Sequence, residues 1–568
     1  MVARYVVSPQ GARRAYPDIG SALAAAARRG RAARVEIAPG RYEEPLSVAG
    51  EVELVAVDGP GSVVVHRPGG TVLDAAGTVR VSGLVLSGRD ADVVNCRVGM
   101  LVLEHVEVRA PSGVAVHARP NTTVTLRDSE VRHGRTLFAG ADGRIERCRF
   151  VDAADNAVAA IEGARITVRD SWIGGSRLHG VRVSDARAEV TGCELTGTRK
   201  ASLVADTQAE LAVADCVIDA VDAEAVLFIE QSRGSVDGTR VTDAQHGIAV
   251  ASGADPVVRG CTLTGCRDTG INVQTGGRGR FEDCTVVAAG NVAVFSTDGG
   301  APDVHGCRIV GGNVGIAVTA AARGRFARIE VEDLTSVALR VRDESKAAFE
   351  RVRVARCPSG LETKGGVGTT AEVVDAAFRD CGMSAVEVLG HSRATLKGAV
   401  AEGGRLGFGV GEDGQLFLHD CAVTAVSAGG AIGFGAARLV ARDLTVTGSA
   451  AFGICGLGSA YLDVVNGRFV DCAAVGASFD ERATGRLADC AIDGGRGAAV
   501  LDNGRVELVS LRTALRVVKR EPKPAEPAPT TVNNFHGPVF NAAANGIQLA
   551  WNNHDVSQQQ TNEDGSRT

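Results

Sequence analysis

Glu362 and Glu387 are the residues whose type and spacing come nearest to chemistry. They fall one repeat apart in a chain that repeats at roughly 22–24 residues. In the strand phase set out below, both face outward on neighbouring rungs with backbones about 5 Å apart. That is near the separation of the carboxyl pair of a retaining glycosidase, one acting as acid and the other as nucleophile. Arg340 and Lys364 fall beside them. The plainer reading of these four residues, and the preferred one, is a solvated charge ladder in which the two cations relieve the repulsion of the two acids.

Other reactive side chains give less. The 14 cysteines contain no CxxC, and a zinc site needs convergent tetrahedral ligands that a straight inward row does not supply. A thiol is also a small, readily buried hydrophobe, so core packing is their expected role. None of the 11 histidines forms an HxxxH or HxH pair, and His179 and His246, just before rung glycines, are expected in exposed turns. The glycine-rich stretches 364–369 and 403–411 lack GxxxxGK[ST] and a strand–loop–helix setting, which makes them turns rather than phosphate loops. No metal and no cofactor is expected.

What must position these residues is a repeat. The step V-x-x-C-x-apolar occurs at Val213/Cys216/Ile218, Val258/Cys261/Leu263, Val304/Cys307/Ile309 and Leu418/Cys421/Val423, with Phe281/Cys284/Val286 as a variant. Cys261, Cys284 and Cys307 are 23 residues apart, and so are Cys193 and Cys216. Thr239, Ile329, Val352, Ala399 and Gly467 take the slot where cysteine is missing, and a second slot five residues on holds Cys266, Cys357, Cys381 and Cys472. Some nine or ten residues after the first slot comes another short strand, as in Gly247-Ile248-Ala249-Val250. Two or three short alternating strands per rung, joined by Gly, Asp and Asn turns, leave no room for a helix in each turn. The fold class that follows is all-β: a right-handed parallel β-helix of about 18 or more rungs, a rod on the order of 85 Å long.

Composition agrees. Of 568 residues, 45% are hydrophobic but only 4% aromatic, and 72 are glycine, which suits a narrow interior of small stacked side chains. The net charge of −6 is mild and interleaved, so no basic stripe points to nucleic acid and no basic amphipathic helix to a membrane. The first residues lack the apolar run of a secretory signal, and no 18-residue apolar stretch is present; the cytoplasm is the expected location.

A stack of rungs needs covered ends. Tyr16-Pro17-Asp18-Ile19 opens an Ala-rich helix that stops at Gly30, and Arg34 to Tyr42, with Pro39-Gly40, reads as a first strand and turn. This opening, with the repeats behind it, resembles the pectin-methylesterase and pectate-lyase-like superfamily over about residues 1–510. There a short helix plugs the solenoid and a V-x-apolar-x-P-G-x-Y strand begins it. The resemblance implies the fold but not an activity. The GxxDFIFG stretch of pectin methylesterases is missing, there is no Asp-Asp pair of a polygalacturonase, and the DPHD of alginate epimerases is absent. Ser171-Trp172-Ile173-Gly174 breaks the pectate-lyase WIDH stretch at its acid.

Composition changes after Val518. Residues 519–530 form a Pro-rich charged linker, and 531–568 an Asn/Gln-rich tail with isolated apolar residues, the ingredients of cross-β stacking. Asn545-Gly546-Ile547-Gln548-Leu549 with Trp551 and Asn552, and upstream Asn534, Phe535, Gly537 and Val539, resemble bacterial amyloid-signalling sequences of the RIP homotypic interaction class. Ala550 stands where glycine is commoner, and Pro538 interrupts the first half-motif. The resemblance implies recruitment of a protein partner carrying the same motif, or homo-oligomers; a terminus that occasionally docks on the rod is the plain alternative.

The expected layout is a cap and first rung over 1–50, a β-helix over 51–518, the linker and the tail. The preferred function is a non-enzymatic intracellular scaffold or sensor. It binds a protein or glycan through exposed sheet faces and assembles through its tail, in bacterial stress or conflict signalling. The alternative is a divergent carbohydrate-active enzyme using Glu362, Glu387 and Arg340.

Overall fold

A computed structural model describes residues 2–9 and 15–519, and the backbone of 538–543 and 546–551. The first strand, Ala3–Val7, precedes the helix and pairs in parallel with Ala33–Ile37. From there the chain winds into one right-handed solenoid of parallel strands, about 21 turns; the single α-helix among the described residues is Ile19–Arg29. The number of turns exceeds the 18 read from the repeat because the turns before Val81 carry no cysteine slot to mark them. After Leu501, Val517–Lys519 adds another strand, on Ala498–Asp502. At about 4.8 Å per turn the rod is roughly 100 Å long.

Each turn contributes three strands, stacked in three rows. The first row holds strands such as Thr123–Arg127, Asp142–Glu146 and Arg165–Arg169. The second holds Glu130–Arg132, Arg149–Val151 and Trp172–Gly174. Val114–Ala118, Arg135–Ala139 and Val158–Ile161 belong to the third. Pairing in register stacks like on like, so Val131, Phe150 and Ile173 form one inward column and Leu126, Ile145 and Val168 another. Phe326 and Phe349 stack inside the rod with ring centroids 5.1 Å apart.

The corner between the first and second rows explains the cysteine slot. One residue there takes a left-handed conformation, as Asp215 (φ 53°) and Asp283 (φ 52°) do, a region that Asp, Asn and Gly enter at least cost. The next residue turns into the core, and its side chain donates to the carbonyl two residues back. Cys216 Sγ lies 3.3 Å from Ala214 O and Cys148 Sγ 3.3 Å from Glu146 O. Ser171 Oγ does the same with Arg169 O at 2.8 Å. The slot therefore favours a small side chain with a donor, and burial pushes the Cys148 thiol up to about 11, leaving it a protonated donor at neutral pH.

The helix closes the N-terminal end. Asp18 accepts from Ser21 N at 2.6 Å, Glu44 accepts from Ile19 N and Gly20 N, and Gly30 ends the helix in the left-handed region. Ile19, Ala22, Leu23 and Ala26 are buried, packing against the first strands. No helix among the described residues is long and apolar enough to cross a membrane.

Pro538–Ala543 and Gly546–Trp551 pair as an antiparallel hairpin. Pro538 is the first residue of its described strand, a position where a missing N–H is tolerated. Asn534, Phe535, Gly537, Asn545 and Asn552 of the proposed motif lie outside the described residues; Val539, Gly546, Ile547, Gln548, Leu549 and Trp551 lie on the hairpin.

Candidate functional site

The three outer walls differ. On the first and second rows, charged side chains of adjacent turns pair across the surface: Arg127 with Glu146 (3.1 Å), Arg259 with Glu282 (2.9 Å), Arg353 with Glu330 (3.1 Å). Such exposed pairs contribute little stability and keep the walls hydrated. The outward column of the third row runs Leu137, Ala159, Arg182, Val204, Leu227, Ala249, Asn272, Phe295, Ala317, then Arg340, Glu362, Glu387, then Gly409, Ile432, Cys455, Ser478. Most of these face away from the interior yet are buried, as Val204, Ala249 and Ala317 are. This wall is a recessed, mostly uncharged strip, with a charged centre.

At that centre the register pairs Arg340 with Glu362 and Glu362 with Glu387, and places Arg342 beside Lys364. Arg342 Nε donates to Glu362 Oε1 at 2.9 Å, and Arg340 Nε lies 3.3 Å from the same oxygen. Burial pushes the Arg340 guanidinium below its ordinary value, with Glu362 opposing. Glu387 is different. Burial first, then repulsion from Glu362 and Glu412, push its carboxyl up to about 7, with Lys364 opposing. Two acids that are neighbours in the ladder thus sit in unlike settings, one held by two guanidiniums, the other able to hold a proton at neutral pH. Beside them, Ser384 Oγ is buried without a hydrogen-bond partner among the described residues. Gly409 follows Glu387 in the column and leaves a gap in which an added Cβ would find only ordinary contacts.

Two histidines depart from expectation. His246 belongs to strand Arg240–Val250, half-buried, with Nδ1 2.7 Å from Thr269 Oγ1. His179 is also half-buried, its Nδ1 3.0 Å from Ala201 O, and burial pushes its imidazole down. The sequence reading missed a polar cluster at the N-terminal end of the same wall, where His117 and Arg119 meet Asp92 at 2.7 and 3.0 Å and Asn95 bridges Arg119 and Asp74. No regular spacing marks it, because Asp92 comes from a turn. Glu104, His105 and Asp128 converge closely enough to hold a cation, but Arg147 already takes both oxygens of Asp128.

A family model for the right-handed β-helix region matches residues 112–258, 179–324 and 246–399, together half of the chain. The chain belongs to the right-handed β-helix family. Several solved structures match the chain at low identity. The PL6 family alginate lyase AlyGC is 10% identical, with 91% of this chain and 100% of that one covered and a TM-score of 0.28. The periplasmic alginate epimerase AlgG is 10% identical over 61% and 76%, with a TM-score of 0.31. A GH87 α-1,3-glucanase from Streptomyces thermodiastaticus is 14% identical over 86% and 67%, with a TM-score of 0.23. No curated protein matches the chain.

Proposed function

We propose that this β-helix is a binding rod that holds an extended polymer, a glycan or a protein segment, along its third wall. The observation that carries the reading is the contrast between walls: two are hydrated charge ladders, while the third is recessed and mostly uncharged around Arg340, Glu362 and Glu387. Stacked turns repeat their outer groups at about 4.8 Å, a spacing that suits a linear ligand. Once free of the rod, the tail serves assembly, recruiting a partner or another copy. Binding to panels of soluble polysaccharides and extended peptides, measured by calorimetry, tests the wall. Ala249→Arg and Ala317→Arg fill the strip and abolish binding, while Thr125→Arg on the first wall leaves it intact. Equal losses from both walls would overturn the assignment.

A second reading rests on Glu387 alone. A carboxyl raised to about 7 beside a guanidinium-held carboxylate is the arrangement that supplies a general acid at neutral pH. Glu387→Gln separates the two readings, because it stops any glycan turnover under the second and preserves binding under the first.

A further inference from the structure

The C-terminal end of the third wall carries an apolar patch separate from the interior core: Leu406, Ile432, Phe452, Cys455 and Val475, with Leu501 packed against it. Ile432 and Cys455 belong to the outward column, and Leu406, Phe452 and Val475 to the outward column beside it. Phe452 and Cys455 are 1% and 0% exposed although they stand on the outside of the rod.

We infer that this patch is the seat of the chain's own residues 538–551. Three observations converge on that occupant. The chain leaves the solenoid on this wall, since Val518 pairs with Leu501 and continues the same column. Ile432 lies four turns back along the register, about 19 Å away, and residues 520–537, proline-rich, extend to at most roughly 55 Å. The span is therefore reachable without strain. The hairpin's register places Pro538 opposite Trp551, Phe540 opposite Leu549 and Ala542 opposite Ile547. In sequence, residues 538–551 are mostly apolar. A lone two-stranded hairpin is marginal in water, so a mostly apolar one gains from a surface to pack on. Between Thr531 and Asn553 no acidic residue, lysine or arginine opposes burial there.

Cys455 reports on the contact, because every other cysteine belongs to the interior core. The full chain, a chain ending at residue 530 and a full-length Leu549→Asp variant are exposed to N-ethylmaleimide, and labelling is mapped by peptide mass spectrometry. Cys455 labels slowly in the full chain and at least tenfold faster in both variants, at every protein concentration, while the interior thiols stay protected and report an intact rod. Unchanged Cys455 labelling in both variants would overturn the inference. So would protection that disappears on dilution, which would make the occupant a second copy. The inference goes beyond the ligand reading and fails separately from it, since the calorimetric test concerns Ala249 and Ala317, several turns away.

Discussion

A carboxyl raised to about 7 makes the stability of the rod depend on pH through one residue. Unfolded, Glu387 titrates near the ordinary glutamate value of 4.5; folded, near 7. Between these values the folded state binds the extra proton, so stability falls as pH rises through that window, and the loss is complete above it. Two and a half pH units correspond to at most about 3 kcal/mol. Glu387→Gln removes the titration. We expect its urea midpoint to match the parent at pH 4 and to exceed it at pH 8, with the gap opening between; a constant difference at both pH values would show that burial of Glu387 is not the cause. The strip position of this residue was legible from spacing alone, because Glu362 and Glu387 keep the same place in consecutive strands. Its protonation was not, because desolvation depends on what the neighbouring turns place around it. The side on which a cysteine points was legible only at the corner slots. Cys455 lies in the third row, where its residue type says nothing of inside or outside.

At the scale of elements, the N-terminal helix covers an end that would otherwise expose core and unpaired strand edges. Its first turn is held by Asp18 and by Glu44, which reaches it from beyond the next strand. Asp18→Ala should cost about 1 kcal/mol, read as a lower thermal midpoint. Glu44→Ala should cost at least as much, because it removes acceptors from both Ile19 N and Gly20 N. Equal stability of both variants with the parent would show that the cap is closed by apolar packing alone. The helix and its stop at Gly30 were readable from Asp18, the alanines and the glycine. The strand Ala3–Val7 was not: its pairing partner, Ala33–Ile37, lies across the helix, and a lone five-residue strand carries no repeat to match. The left-handed corners were readable where Asp, Asn or Gly stands, and hidden where Arg328 or Arg351 adopts the same backbone because the stack dictates it.

Over the whole molecule, each turn packs only on the turns before and after it, so the effect of a change should decay along the rod instead of spreading through it. Phe349 is fully buried and stacked on Phe326, and Phe349→Ala removes an aromatic layer at a cost of about 3–5 kcal/mol. In a globular core that loss would lower the stability of every element. Here amide hydrogen exchange should accelerate in the neighbouring turns, among them Arg323–Ala327 and Thr370–Val374, which pair directly with Lys346–Glu350. Turns near Arg165–Arg169 and Tyr461–Val465 should keep their protection. The third wall responds in the same local way: its charged centre shares turns with Phe349, so Arg340, Glu362 and Glu387 would lose their alignment while the apolar patch around Ile432 kept its own. Uniform acceleration from one end to the other would mean that the rod unfolds as a single cooperative unit, and the wall could not then be treated as separable stretches with separate occupants.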